Sequence, residues 1–526
     1  MRILAELIKA KEKLNSIWYR LYSSTDEVLP ITAYSKVPDW CIAAVELMIL
    51  SDIASAGIGF KPMEDGKIHS WSDVYITEVR SYYRDDDEIF DQLLTVDEYP
   101  LGTVAKGVSP KRARILPKAR TPQSGITLRS MSFNLALLPG NMVVNSKWLM
   151  SSMLYNLTTP DLVSEMECSK LNLLLIPFPY NISPEDFVQA GHSIDDNVRK
   201  AKKEKKTPRF FTIKQNWIPK NKEKEVASLI MKLVHKAEDD LAKAGVADDV
   251  VNGVVMPEVS LTLDVAKHVS DSLLEHSRTG FFICGITQNK QGSKINGAYV
   301  AMFDRNWKSK HKFEMIQCKQ HRWKLDDFQI KKYGLNFPEG FEWWEQIDVS
   351  HREVYFHLFS AGSFVTFVCE DLARAEPLHH IVRSVGPNLV FALLLDSQQI
   401  LSRWPGRYAT TLADDPGCAC ISFTSQGLIK LDKYYQEELK KNKSEELRVG
   451  LWRSGNELTE INMPNDSNSL AVLLRLKSKR ITEYSLDDRN DGGVAETWNT
   501  NDDVSIIKPV HIVKLDKKPK WLHIKK

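Results

Sequence analysis

The sequence predicts an α/β domain preceded by a mainly helical N-terminal region, on three observations. From about residue 127 onward, short apolar runs alternate with amphipathic helical stretches. Several of those runs are apolar at every position, as strands covered on both faces are. Ahead of residue 105 the period is helical instead: Ile3, Leu4, Leu7, Ile8, Leu14, Ile17, Trp18 and Leu21 share one stripe, and 40–56 reads as a second, more buried helix.

The elements follow in order. Residues 1–104 form the helical region. Residues 105–126 are basic and proline-containing, with no apolar period, and read as a linker. The α/β domain is expected over 127–480, with strands at 131–138, 171–176, 249–256, 280–286, 296–303, 363–369, 388–395 and 418–425. The clearest helix is 225–244, where Val226, Leu229, Ile230, Leu233, Val234, Ala237 and Leu241 make one face and Gly245 follows as a C-terminal cap. The lysine-rich stretch 197–209 contains no aromatic residue and reads as a solvated insertion rather than a nucleic-acid contact. Residues 481–526 are a polar, then basic, C-terminal extension, in which 504–514 suggests a strand interrupted by Pro509.

Composition narrows the function classes. Lys+Arg (70) and Asp+Glu (68) nearly cancel over 526 residues, so no whole-protein field calls for nucleic acid or an anionic membrane. No apolar run is long enough to span a bilayer. The N-terminal MRILAELIKAKEKL mixes charges into its first turns, unlike a signal peptide. Seven scattered cysteines with no CxxC pair predict a reduced, cytoplasmic protein with no metal site.

Three residues carry candidate chemistry. Cys369 ends the apolar run SFVTFVC and is followed at once by Glu370-Asp371 and a helix. A sharp strand-to-helix turn presents its side chain and aims the next backbone N–H groups at whatever that side chain attacks. The plain alternative is a small buried hydrophobe, which is what most free cysteines are. Glu258 follows the apolar run VVNGVVMP, and the end of a strand is where α/β sites form; alone it reads as a solvated loop carboxylate. Lys319 ends the extended run EMIQC and precedes Gln320-His321-Arg322-Trp323; alone it reads as a surface lysine.

Taken together, in the order Glu, Lys, Cys, these residues resemble the nitrilase or carbon–nitrogen hydrolase superfamily. The resemblance is carried by MPE at 256–258, CKQHRW at 318–323 and FVCEDLARAEP at 367–377. It continues through GPNLVFALLLD (386–396), WPGRYATTLADDPGCACIS (404–422) and FTSQGL (423–428), and covers roughly 127–480. It implies a four-layer αββα sandwich that forms a homodimer or higher oligomer. It implies a small-molecule amide or nitrile substrate and neither metal nor organic cofactor. Cys369 would be the nucleophile and Glu258 the general base. Lys319 would lower the thiol pKa and hold the oxyanion together with the backbone N–H of Glu370. Many family members place a second glutamate between lysine and cysteine. Glu339, Glu342 and Glu345 all lie in that interval, with Glu345 slightly preferred. The segment is also similar to the domain fused to some bacterial defence-associated reverse transcriptases, which implies an antiviral context.

Other readings are weaker. Tyr83-Arg84-Asp85-Asp86 matches a polymerase-like Y-x-D-D pattern without flanking apolar strands. A Cys–His arrangement of Cys369 with His379 or His380 would use histidines placed on the helix after the elbow. Cys418 and Cys420 alternate on one strand face, which favours core packing over metal. Trp343, Trp344 and Trp404 are candidate pocket walls or core. The alternative to an enzyme is a catalytically silent binding or regulatory module whose N-terminal helices dock a protein or nucleic acid.

Overall fold

In the computed structural model the described residues are 170–190, 207–218 and most of 221–522, with 12, 15–17, 19–20, 99–100 and 145–150 ahead of them. Most of the expected helical region, the 105–126 linker, the Tyr83–Asp86 motif, the 131–138 strand, residues 197–206, Glu339 and His380 lie outside the described residues.

The strands are β1 (Tyr99–Pro100), β2 (Asn145–Met150), β3 (Lys170–Leu175), β4 (Phe187–Ala190), β5 (Thr207–Ile213), β6 (Gly253–Val255), β7 (Leu261–Thr262), β8 (Phe281–Lys290), β9 (Ser293–Asp304), β10 (His311–Cys318), β11 (Lys324–Leu325), β12 (Phe341–Glu345), β13 (Glu353–Phe359), β14 (Gly362–Val368), β15 (Leu389–Leu394), β16 (Ala419–Thr424), β17 (Glu446–Ser454), β18 (Glu457–Pro464), β19 (Ser469–Glu483), β20 (Gly493–Thr500) and β21 (Val510–Lys514). The helices are α1 (Glu223–Lys243), α2 (Leu263–His276), α3 (Asp327–Tyr333), α4 (Glu370–Ala373), α5 (Trp404–Asp414), α6 (Gln426–Leu431) and α7 (Lys433–Asn442).

Two large sheets dominate. One runs β1-β2-β13-β14-β15-β16-β17-β18; the other runs β10-β9-β8-β6-β3-β19-β20, with β21 beside β19 and β7 beside β8. The two-faced apolar runs explain how they are covered. In β15, Leu389, Phe391 and Leu393 join a core that also takes Leu171, Leu173 and Leu175 from β3 of the other sheet. The alternate residues Val390, Ala392 and Leu394 pack with Ala409 and Leu412 of α5. On the second sheet, Leu174 and Val254 face the apolar stripe of α1, where Leu229, Leu233 and Ala237 are buried, and the inner face of α2. Strand spacing of two residues thus sends one row into the space shared by the sheets and the other row under helices.

The structure departs from the sequence reading in two places. The 249–256 run forms a strand only over Gly253–Val255; just before it, Asn252 turns its side chain to accept from the Asn172 N–H at 2.7 Å. The stretch beyond 480 is built into the second sheet: β19 runs through that position, and β20 and β21 both pair with it. Pro509, which donates no N–H, sits just before β21, and its carbonyl accepts from Arg475 N at 2.8 Å.

A small third sheet, β11-β12-β5-β4, caps the ends of the large ones. Its core joins Phe211, Trp323, Tyr333 and Trp343 to Val259 and Leu395 from strand-end loops and to Leu428 of α6. Trp343 stacks on Phe337 with ring centres 4.5 Å apart, so it belongs to this cap core.

Candidate active site

Each candidate residue sits where a strand gives out. Glu258 follows β6 and Pro257, in a loop that the next residue turns sharply: Val259 has φ 56°, which a β-branched side chain rarely adopts. The loop is tied down by the Gln215 side-chain amide, which donates to Val259 O at 2.8 Å and Leu261 O at 2.7 Å. It also lies against β8 so closely that a Cβ at Gly285 would fall 2.3 Å from Glu258 Cα and 2.5 Å from Pro257 O. Lys319 follows β10 in the same way. Its N–H donates to Asn296 O at 2.8 Å, and a Cβ at Gly297 would fall 2.6 Å from Gln317 O. Both glycines are needed because backbone, not a movable side chain, occupies the space.

These placements bring four polar side chains together. Lys319 Nζ lies 2.8 Å from Glu258 Oε1 and 2.8 Å from Glu345 Oε2. Asn296 Nδ2 donates to Glu258 Oε1 at 2.8 Å and to Glu345 Oε1 at 2.7 Å. Trp323 N donates to Glu345 Oε2 at 3.2 Å. All are buried, Lys319 completely (0% exposed). Glu258 Oε2 is buried and has no hydrogen-bond partner among the described residues. The question of the second glutamate has a geometric answer among those described: Glu345 joins the cluster, whereas Glu342 points outward to Lys324 at 2.8 Å. Alternation on β12 puts Glu345 on the same face as buried Trp343.

The electrostatics follow from one cation between two carboxylates. Burial raises the Glu258 pKa, the nearby Glu345 charge adds to the rise, and Lys319 opposes it without cancelling it. For Lys319, burial alone would favour the neutral amine, but Glu258 and Glu345 outweigh it and hold the pKa well above the ordinary lysine value.

Cys369 occupies the strained turn expected of it. Its backbone has φ 46° and ψ −105°, a conformation that costs roughly 1–3 kcal/mol for a non-glycine residue. Its N–H donates to Leu393 O at 2.9 Å, and its carbonyl accepts from Leu372 N at 2.9 Å, so the turn is fixed on both sides. The thiol departs from the sequence expectation. Lys319 does pull its pKa down, but burial and then the Glu258 charge push harder, and the net shift is well upward. The resting group at neutral pH is therefore the thiol rather than the thiolate.

Asp371 links this elbow to the lysine loop, a contact that sequence reasoning missed. Its carboxylate accepts from Gln320 N at 3.1 and 3.2 Å and meets His321 Nδ1 at 2.8 Å. Asn296 was missed as well; its only signal is a polar residue near the start of an otherwise apolar run. His379 is buried, stacked on Phe367 and hydrogen-bonded to Leu372 O at 2.7 Å, so it packs behind the elbow. Cys418 and Cys420 lie in the core beneath α5, and burial pushes the Cys420 thiol up to about 12. Among the described residues no group of His, Cys, Asp and Glu is arranged to hold a metal. Among them, too, no helix is long and apolar enough to cross a membrane.

No protein-family model and no curated protein sequence matches the chain. Similar solved structures include a glutamine-dependent NAD(+) synthetase from Cytophaga hutchinsonii, 10% identical over 58% of this chain with a TM-score of 0.27. The match spans only 43% of the length of that synthetase. An amidase from Nesterenkonia sp. is 11% identical, covering 57% of this chain and 93% of its own, with a TM-score of 0.30. A Saccharomyces cerevisiae member of branch 10 of the nitrilase superfamily is 11% identical, covering 49% of this chain and 76% of its own, with a TM-score of 0.28. Similarity this distant does not bear on the reaction, which has to be read from the side chains.

Proposed function

We propose that the chain is a cysteine-dependent carbon–nitrogen hydrolase of the nitrilase type, acting on a small non-peptide amide or nitrile. The observation that carries this reading is the buried Glu258–Lys319–Glu345 cluster, with Glu258 Oε2 left without a partner. Leaving a buried carboxylate oxygen unsatisfied costs roughly 1–3 kcal/mol or more, a cost that a general base recovers when it takes a proton. The sharing of one core by both large sheets, with α1 and α2 outside one and α5 outside the other, supports the four-layer αββα reading.

With an amide, the reaction passes through a thioester. Cys369 Sγ attacks the carbonyl carbon as Glu258 takes the thiol proton, in keeping with a thiol whose pKa is raised. The carbonyl π pair moves onto oxygen, where Lys319 and the Glu370 N–H stabilise it; each such donor is worth roughly 3–4 kcal/mol. The pair returns, the C–N bond breaks and Glu258 gives its proton to the departing nitrogen. Water, deprotonated by Glu258, then cleaves the thioester, and the thiol recovers its proton. Glu345 and Asn296 act through Glu258 and Lys319, as positioning residues.

The test is ammonia release from simple amides by the full chain. Cys369→Ala is expected to abolish it by a factor on the order of 10⁶ while leaving the melting temperature nearly unchanged. A protein that keeps its biological function after Cys369→Ala would instead be the silent binding module.

A further inference from the structure

We infer that this site prefers an amide whose acyl chain ends in an uncharged hydrogen-bonding group, a hydroxyl or carboxamide, received by Asp396 and Gln426. The inference rests on the hydrolase reading above and adds the class of substrate. β14, β15 and β16 are adjacent and parallel, so Cys369, Asp396 and Gln426 emerge from neighbouring strand ends on the same edge of the sheet. The Thr424 hydroxyl bridges two of these ends, accepting from Asp396 N at 3.1 Å and donating to Asp396 O at 2.5 Å. Leu395 and Leu428, close in the chain to Asp396 and Gln426, both pack into the cap core that closes over the site.

The open hydrogen-bonding capacity there is specific. Asp396 is 7% exposed and Gln426 0%. Asp396 Oδ1 accepts from Arg403 Nη2 at 2.8 Å and from the Tyr333 hydroxyl at 3.5 Å. Asp396 Oδ2 and both side-chain polar atoms of Gln426 are buried without a partner among the described residues. Buried polar groups are nearly always satisfied, so such a set calls for a ligand or water. Charge selects among ligands. The Arg403 cation already balances Asp396, so an ammonium group would meet Arg403 and a carboxylate would meet Asp396. A neutral group that both donates and accepts matches one open carboxylate oxygen and one open carboxamide. Burial is the main reason the Cys369 thiol pKa is raised, and the Asp396 charge adds to the rise, in keeping with strand ends that lie near each other.

Five four-carbon amides test this with the full chain: butyramide, 4-hydroxybutyramide, succinamide, 4-aminobutyramide and succinamate. By kcat/KM for ammonia release, the hydroxyl and carboxamide compounds are expected to exceed butyramide by about tenfold or more, and the two charged compounds to fall below it. Asp396→Asn and Gln426→Met are each expected to shrink that preference to within about threefold. If Asp396→Asn does not fold, Gln426→Met, close in volume, carries the comparison together with the wild-type ranking. Butyramide equal to or better than the polar amides, or a preference that survives both variants, overturns the inference and leaves ordered water as the occupant. That outcome leaves the hydrolase reading standing. No Cys369-dependent ammonia release from any of the five overturns the hydrolase reading, and the inference with it.

Discussion

Glu258 and Asp396 are both buried carboxylates beyond the ends of strands, and each has one oxygen bonded and the other open. They differ in the charge around them. Asp396 has Arg403 as its cation, so that pair is neutral. Glu258 shares Lys319 with Glu345, so the cluster holds two carboxylates against one ammonium. The surplus negative charge adds to burial in raising the proton affinity of Glu258. A carboxylate in deficit of positive charge suits proton transfer, whereas a balanced one suits recognition. Residue type alone would not have separated them.

The largest effect that can break this comparison is Glu258→Gln. Ammonia release should fall by roughly 10²–10⁴-fold, the usual contribution of a general base. Alkylation of Cys369 by iodoacetamide should move the other way. Glu258 raises the thiol pKa, so removing its charge increases the thiolate fraction at a given pH. Peptide mass spectrometry between pH 5 and 9 reads the wild type and the variant side by side. If alkylation slows along with turnover, Glu258 acts on the thiol as a proton acceptor more than as a charge, and the charge comparison fails.

Next in size is Lys319→Met. It leaves Glu258 and Glu345 buried together without their cation, and breaking a buried pair in this way costs about 3–5 kcal/mol. The Lys319 pKa is raised, so in the wild type this stabilisation is fully present below the ordinary lysine pKa and is lost only as pH rises through the raised value. Urea unfolding at pH 7 measures the difference; a loss below about 1 kcal/mol, typical of an exposed pair, would mean the cluster is hydrated.

How much of this was legible in the sequence depends on whether the signal was local. The run 389–394 is apolar at every position, and both of its faces are covered. Glu258, Lys319 and Cys369 each end an apolar run; Glu258 and Lys319 meet at 2.8 Å, and both influence the Cys369 thiol. The cap sheet was not legible. Its strand β5 begins inside the end of the lysine-rich stretch, at Thr207, and its parallel partner β12 lies more than a hundred residues away. Neither segment alone says what it pairs with. That omission hid the choice among the glutamates: once 341–345 is a strand, its period of two puts Glu345 inward beside Trp343 and Glu342 outward. The net thiol pKa was not legible because a sequence shows the lysine, which does lower it, but not the depth of burial, which outweighs it.

The same two glutamates give the smallest and sharpest prediction. As the proposed base, Glu258 must be ionised, so activity is expected to fall as pH drops through its pKa. That pKa is raised, which places the acid limb of kcat/KM above the ordinary glutamate range. Glu345 contributes to the rise through its charge. Glu345→Gln keeps the shape of the side chain and removes that repulsion, so the acid limb should move to lower pH. Glu342→Gln alters only a half-exposed pair with Lys324, worth roughly 0–1 kcal/mol, and should leave the limb where it is. A pH–rate profile from pH 4 to 8 for both variants decides the matter. Equal shifts would mean that the effect comes from overall charge rather than from the carboxylate that shares Lys319. A shift for Glu345→Gln alone would show that the charge imbalance around one lysine sets the working pH of the base.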